Sequence, residues 1–325
     1  MVEAPPSPLL HLGSFFSSSS NTSACRAEAG NANRSFPSLL SVSVSVSASA
    51  ASSNPILPGR EENLNIEDAP KTGVEARMRT ARLVAGASGY SYKEWKGNFY
   101  PDRIKPEEML GFYAARLPTV EINNSFYAMP KEAVLENWAR VTPPDFRFAI
   151  KASRRITHDA QLKADVAAAS VRYLYEVLGM LGTKRGPVLF QLPPSLKKDL
   201  PKLDEFLALL PQGHLAAFEF RNDSWFDDGV YASLRRAGAA LALSERDDSA
   251  PPPLIETAPW GYLRLRLEVY SDGDLARWAK RLLATGWKRI HVYFKHESLA
   301  AAYATTLMQR AVQAPSKQRL RMRTP

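Results

Sequence analysis

Val188-Leu-Phe-Gln-Leu192, Leu200-Pro-Lys-Leu-Asp-Glu-Phe-Leu-Ala-Leu-Leu210 and Ala216-Ala-Phe-Glu-Phe220 follow one another with only short connections. The outer two are apolar runs, each interrupted by a single polar residue, Gln191 or Glu219. Near-continuous apolar runs of this length suit strands buried on both faces. The middle stretch is amphipathic and reads as a helix. Strand, helix, strand is the repeating unit of a parallel sheet.

The same alternation runs outward in both directions. Further strands are predicted at Leu83–Gly86, Thr119–Ile122, Phe146–Lys151, Ala239–Leu243, Tyr262–Leu265 and Ile290–Phe294. Helices are predicted from Pro106, where proline suits a first helical position ahead of Glu107 and Glu108. Others fall at Lys131–Arg140, Asp165–Leu181, Asp228–Ala237, Asp272–Ala284 and Leu299–Val312. Eight strands with intervening helices over this length fit an α/β fold of the TIM-like (β/α)8 barrel type, a closed parallel sheet. An open doubly wound sheet is the alternative. It lacks its usual support, because Gly86-Ala-Ser-Gly89 leads into an aromatic loop and not into a helix.

Several stretches resemble the YecE-like family, the domain of unknown function numbered 72. They are Gly86-Ala-Ser-Gly-Tyr-Ser-Tyr-Lys-Glu-Trp-Lys-Gly-Asn-Phe-Tyr-Pro101, Val120-Glu-Ile-Asn-Asn-Ser-Phe-Tyr127, Phe146-Arg-Phe-Ala-Ile-Lys151, Gln191-Leu-Pro-Pro194, Phe218-Glu-Phe-Arg-Asn-Asp-Ser-Trp225, Tyr262-Leu-Arg-Leu-Arg266 and Val292-Tyr-Phe-Lys-His-Glu297. The resemblance implies a TIM-barrel-like fold and no established reaction. Two places depart from the family. Lys295-His296-Glu297 stands where many members have an Asn-rich strand end, and Leu265-Arg266 where many have a His-Gly pair. The resemblance implies no ligand contact at those two places.

In a barrel, reacting groups sit where strands finish. Glu121 and Asn123 end the second strand, Lys151 the third, Gln191 the fourth, Glu219 and Arg221 the fifth, and Arg264 and Arg266 the seventh. Lys295, His296 and Glu297 end the eighth. Loop boundaries are commonly polar, but Glu121 and Glu219 lie inside apolar runs, and a buried charge must be paired or serve a site. Glu219 and Arg221 share a strand face, either as an ion pair or as part of an anion or hydroxyl site. Arg264 and Arg266 also share a face and need an anion or carboxylates between them. Lys151, desolvated at a barrel mouth, is a candidate acid/base or Schiff-base lysine, with pairing to Glu121 as its commoner use.

The catalytic candidates are therefore Glu121, Lys151, Glu219 and His158, the last in a loop after the third strand. Asn123, Tyr127, Gln191, Arg221, Arg264, Arg266 and Trp225 are the substrate-binding candidates. Ser88 reads as a turn residue or anion contact. Glu121, Glu219, His158 and His296 lack metal-ligand spacing, so no metal is assigned, and no cofactor is identified. Tyr90, Tyr92, Trp95, Phe99 and Tyr100 read as a lid or plug over the mouth. The expected partner is a small polar or anionic molecule, with a sugar also compatible. An enzyme should leave at least one carboxylate unpaired, whereas a non-catalytic binding barrel should neutralise them all.

Composition sets the remaining bounds. The 325 residues carry 42 Lys and Arg against 33 Asp and Glu, a net charge of +9. Residues 1–77 are net acidic, and five cations fall in the last stretch, Arg310, Lys317, Arg319, Arg321 and Arg323. The core keeps a basic balance suited to anionic ligands, but no Lys/Arg stripe interleaves with aromatics, which disfavours nucleic acid. No apolar run reaches the ~18 residues of a membrane span. The single cysteine, Cys25, excludes a disulfide framework. Residues 1–77 are Ser-rich and low in complexity, and read as disordered: a plastid transit-like segment, a tail, or an extension ahead of a start at Met78. The barrel domain is expected at 78–310, followed by a basic tail at 311–325, in a cytoplasmic protein unless the leader is a genuine transit peptide. Oligomeric state is not set by the sequence.

Overall fold

Alternate residues of a strand point to opposite faces, and here both faces are buried. The computed structural model describes residues 82–245, 253–296 and 298–314. Its strands are β1 (Arg82–Ala87), β2 (Thr119–Ile122), β3 (Arg147–Lys151), β4 (Arg185–Gln191), β5 (Ala216–Glu219), β6 (Ala240–Ser244), β7 (Trp260–Leu265) and β8 (Arg289–Phe294). They run parallel in chain order, and β8 pairs with β1 to close the ring. Closure excludes the open sheet. All eight predicted strands form, with ends displaced by a few residues.

The helices are α1 (Pro106–Ala114), α2 (Glu132–Val141), α3 (Ala164–Leu178), α4 (Leu200–Ala208), α5 (Asp228–Ala237), α6 (Asp272–Leu283) and α7 (Ala300–Gln313). The described part of the β6–β7 connection holds no helix. The helix predicted to reach Leu181 stops at Leu178, and the chain tightens through Gly179–Lys184 with Gly182 at φ 52°. None of the described helices is long and apolar enough to cross a membrane. The predicted segment 1–77, Cys25, Glu297 and most of the basic tail lie outside the described residues.

One strand face supplies Val120, Phe148, Ile150, Val188, Phe190, Phe218, Leu263 and Val292 to the layer shared with the helices. The other face fills the barrel with Ala149, Leu189, Ala217, Ala240, Ala242, Trp260, Tyr262 and Tyr293. Small residues on β3, β5 and β6 leave room for the large rings from β7 and β8, which is how a closed interior reaches native packing density.

The β1–β2 seam is the loosest part of the ring, with the single register pair Ala87↔Val120. Tyr113 of α1 completes it. Its hydroxyl donates to the Thr119 carbonyl and accepts from the Ala87 amide, both at 2.8 Å. Gly86 makes that approach feasible, because a Cβ there would lie 2.0 Å from the Thr119 oxygen. Gly86→Ala is expected to destabilise the barrel by about 2 kcal/mol through overpacking. A lowered urea midpoint at unchanged m-value would show this, and an unchanged midpoint would refute it.

Candidate functional site

Glu121, Lys151, Gln191, Glu219 and Arg264 all stand at the C-terminal ends of their strands on the inward-facing parity, so the ring itself gathers them. Arg264 is the hub. Its guanidinium reaches Glu121 (Nε–Oε2 3.0 Å) and Glu219 (Nη1–Oε2 2.8 Å). All three side chains are at most 5% exposed.

Glu121 is saturated with donors. Ser88 Oγ (2.7 Å), Asn123 Nδ2 (3.0 Å) and Arg264 Nη2 (3.1 Å) donate to Oε1, and the Tyr262 hydroxyl (2.7 Å) donates to Oε2. Glu219 Oε2 accepts from Gln191 Nε2 at 2.9 Å, and Oε1 faces Arg221 as an ion pair. Burial alone would raise both carboxyls. The Arg264 cation and the surrounding donors overcome it and hold both below the ordinary carboxylate value. Both are thus fixed as anions, and neither is left unpaired.

Lys151 is held differently. Its Nζ donates to the neutral Gln191 Oε1 at 2.8 Å and lies 4.1 Å from the centre of the Phe126 ring. Burial, then the Arg264 cation, pulls its pKa down to about 8, against the opposing pull of Glu219 and Glu121. It is not the charge partner of Glu121. Lys295 is also lowered, by burial and by Arg266, Arg264 and Arg221. The mouth therefore collects the cations Lys151, Arg221, Arg264, Arg266 and Lys295 around two carboxylates.

His158 approaches from the loop after β3. A single π-helical turn, Arg155–Asp159, carries it, and Gln161 and Leu162 then adopt φ 49° and 63°. Consecutive left-handed non-glycine residues are strained, and the full burial of Leu162 holds them in place. His158 Nδ1 bonds the Thr157 hydroxyl at 2.9 Å, and its ring stands edge-on to Phe126 at 4.9 Å. Phe126 thus touches both His158 and Lys151. Burial, then the Lys151 cation, lowers the His158 pKa. Among the described residues, no group of three or more His, Cys, Asp or Glu could hold a metal ion.

The family model described as "Protein of unknown function DUF72" matches residues 84–325. The chain belongs to the DUF72 family. It is 28% identical over 142 residues to the UPF0759 protein YunF of Bacillus subtilis (strain 168), covering 41% of this chain and 50% of YunF. It is 32% identical over 118 residues to the UPF0759 protein YecE of Escherichia coli (strain K12), covering 36% and 43%. These matches span half or less of the relatives' length. Two solved DUF72 structures share the fold. One, from Enterococcus faecalis V583, has TM-score 0.59 at 17% identity and covers 72% of this chain and 97% of its own. The other, from Thermotoga maritima MSB8, has TM-score 0.52 at 24% identity and covers 74% and 99%.

In this DUF72 barrel the candidates drawn from sequence separate by position. Glu121, Asn123, Lys151, Gln191, Glu219, Arg221 and Arg264 form one bonded network, with His158 beside it. Arg266 stands near Lys295, its Nε buried without a hydrogen-bond partner, while its backbone amide binds Glu245. Tyr127 is 78% exposed at the rim, its ring against Phe126. Trp225 is fully buried, stacked on Phe220 at 4.7 Å, and donates to the Leu196 carbonyl, so it packs the β5 loop and offers no ligand surface. His296 Nδ1 accepts from the Ser298 and Leu299 amides at the start of α7. The aromatic loop is consumed in packing, with Trp95 and Phe99 arranged around Tyr113. Tyr262 and Glu245 were missed. Tyr262 was detectable, lying two residues before Arg264 on the same strand face. Glu245 accepts from Trp278 of α6 and from Tyr270 in the loop before it.

Proposed function

We propose that the C-terminal mouth of this DUF72 barrel binds a small polar molecule bearing a phosphate or carboxylate, and that Lys151 acts on it. The observation that carries this reading is the state of the charges. Arg264 occupies both carboxylates, so among the described residues the unspent charge at the mouth is cationic: Lys151, Arg266 and Lys295. An anion completes that balance. Acid/base work passes from Glu121 and Glu219, held as weak bases, to Lys151, whose amine exchanges a proton near neutral pH. His158, which shares the Phe126 ring with Lys151 and is held below the ordinary imidazole value by burial and by the Lys151 cation, is placed to accept a proton. A non-catalytic binding barrel is the other reading, favoured by the full pairing of both carboxylates.

The test is a thermal-shift panel of phosphorylated and carboxylated metabolites, each set against its uncharged analogue. Anionic members are expected to stabilise the protein, by about 2.7 kcal/mol at a hundredfold excess over Kd. The effect should weaken in Lys151→Gln and Lys295→Gln. Equal stabilisation by the uncharged analogues would refute the anion site. A stabilising compound recovered unchanged after prolonged incubation would leave binding without catalysis.

A further inference from the structure

The opposite end of the barrel holds a second gathering of charge. Arg82 opens β1, Arg147 opens β3 and Arg289 opens β8. Arg82 and Arg289 are direct register partners. Arg147 lies two residues before Ala149, and Arg289 four before Tyr293, so both share the parity of the barrel interior. Like charges directly opposite on neighbouring strands are destabilising, and arginine does not relieve the repulsion by losing a proton. A mouth built for stability alone would pair these cations with carboxylates. Among the described residues, no carboxylate lies within ion-pair distance of any of them. Arg147 donates to the Pro144 and Phe146 carbonyls, and the exposed Asp145 acts on it only at longer range.

Two residues further into the barrel from Arg289 lies His291. It is 1% exposed, and neither ring nitrogen has a hydrogen-bond partner. Trp260 stands edge-on at 6.0 Å, and Val84 and Tyr262 are its neighbours in register. An unsatisfied buried polar group costs about 1–3 kcal/mol, so an imidazole kept here calls for a partner. Burial, then Arg289, Arg147 and Arg82, pushes its pKa down to about 3, which leaves the ring neutral with one N–H to give.

We propose that the N-terminal mouth of the barrel binds a phosphate group, gripped by Arg82, Arg147 and Arg289 from three strands, with the His291 ring donating to it from the barrel interior. Guanidinium forks on separate strands suit a tetrahedral oxyanion, whose oxygens face several directions at once. The barrel-filling layer, including Tyr262, Tyr293 and Leu189, separates this site from the Lys151 mouth.

The experiment reads His291 directly. The full chain is labelled with 15N-histidine, the His291 ring signals are assigned with His291→Gln, and sodium phosphate is titrated against sodium chloride at matched ionic strength. Phosphate, and not chloride, is expected to shift the His291 signals saturably. Arg82→Gln, an exposed position, should weaken that response roughly ten- to hundredfold, the worth of a charge-assisted hydrogen bond. Lys151→Gln should leave it intact, which separates this site from the one proposed above. His291 signals indifferent to phosphate, or a response that survives both Arg82→Gln and Arg289→Gln, would overturn the proposal.

Discussion

Arg264→Met is expected to cost about 3–5 kcal/mol, because it strands two buried carboxylates around one missing cation. For a domain of this size that is a fall in Tm of about 6–20 °C. Methionine keeps most of the volume, so the loss is electrostatic in origin. Adding Glu121→Gln and Glu219→Gln to the variant should recover most of the stability, since neutral amides need no cation. The pH dependence gives an independent signature. Glu121 and Glu219 have folded pKa values below the ordinary one. They contribute stability that is full above the unfolded value, about 4.3, and is lost as pH falls through the folded values. Without Arg264, burial dominates and the carboxyls move up, so the variant gains relative to wild type on acidification. Denaturation curves should therefore converge as pH drops towards 4. A gap independent of pH, or no recovery in the triple variant, would mean that the triad is not what holds this mouth together.

The fold was legible because period and length carry it. Runs such as Val188–Leu192 and Ala216–Phe220 bury both faces, and no other arrangement of eight such runs satisfies their edges as a closed ring does. The bonded network was legible for a related reason. A carboxylate inside an apolar run, as at Glu121 and Glu219, has few outcomes other than a partner on another strand. Even the face was readable, since Arg264 and Glu219 lie at the same ends of their strands.

Choices between chemically similar neighbours were not legible. Nothing local distinguishes Trp225, which packs beneath Phe220, from an aromatic that stacks a ligand. The loop aromatics read as a lid or plug over the mouth because sequence does not show that Tyr113, on the next helix, would draw Trp95 and Phe99 to the β1–β2 seam. Arg82, Arg147 and Arg289 begin strands at positions far apart in the chain, and their convergence emerges only once β8 meets β1. His291 was hidden inside an apolar run by the same logic that exposed Glu121, because a neutral imidazole breaks the pattern less than a charge does.

Lys151 is expected to react with amine reagents about a hundredfold more readily at pH 8 than its ordinary pKa would permit. With its pKa at about 8, half of the side chain is then neutral. A lysine near 10.4 is neutral in well under about 1% of molecules at that pH. Competitive acetylation followed by peptide mass spectrometry, normalised to each lysine's limiting rate at high pH, removes the effect of partial burial. The Lys151 midpoint should fall near pH 8. Its sensitivity to neighbours has a definite sign. Glu219→Gln removes an anion that favours the ammonium, so the midpoint falls. Arg264→Met removes the leading cation that disfavours it, so the midpoint rises. A phosphate or carboxylate compound seated at the same mouth also raises it and slows labelling, whereas an anion at the far end of the barrel does neither. A midpoint shared with the exposed surface lysines would remove Lys151 as the proton-exchanging group. It would leave the mouth as a site that binds anions without acting on them.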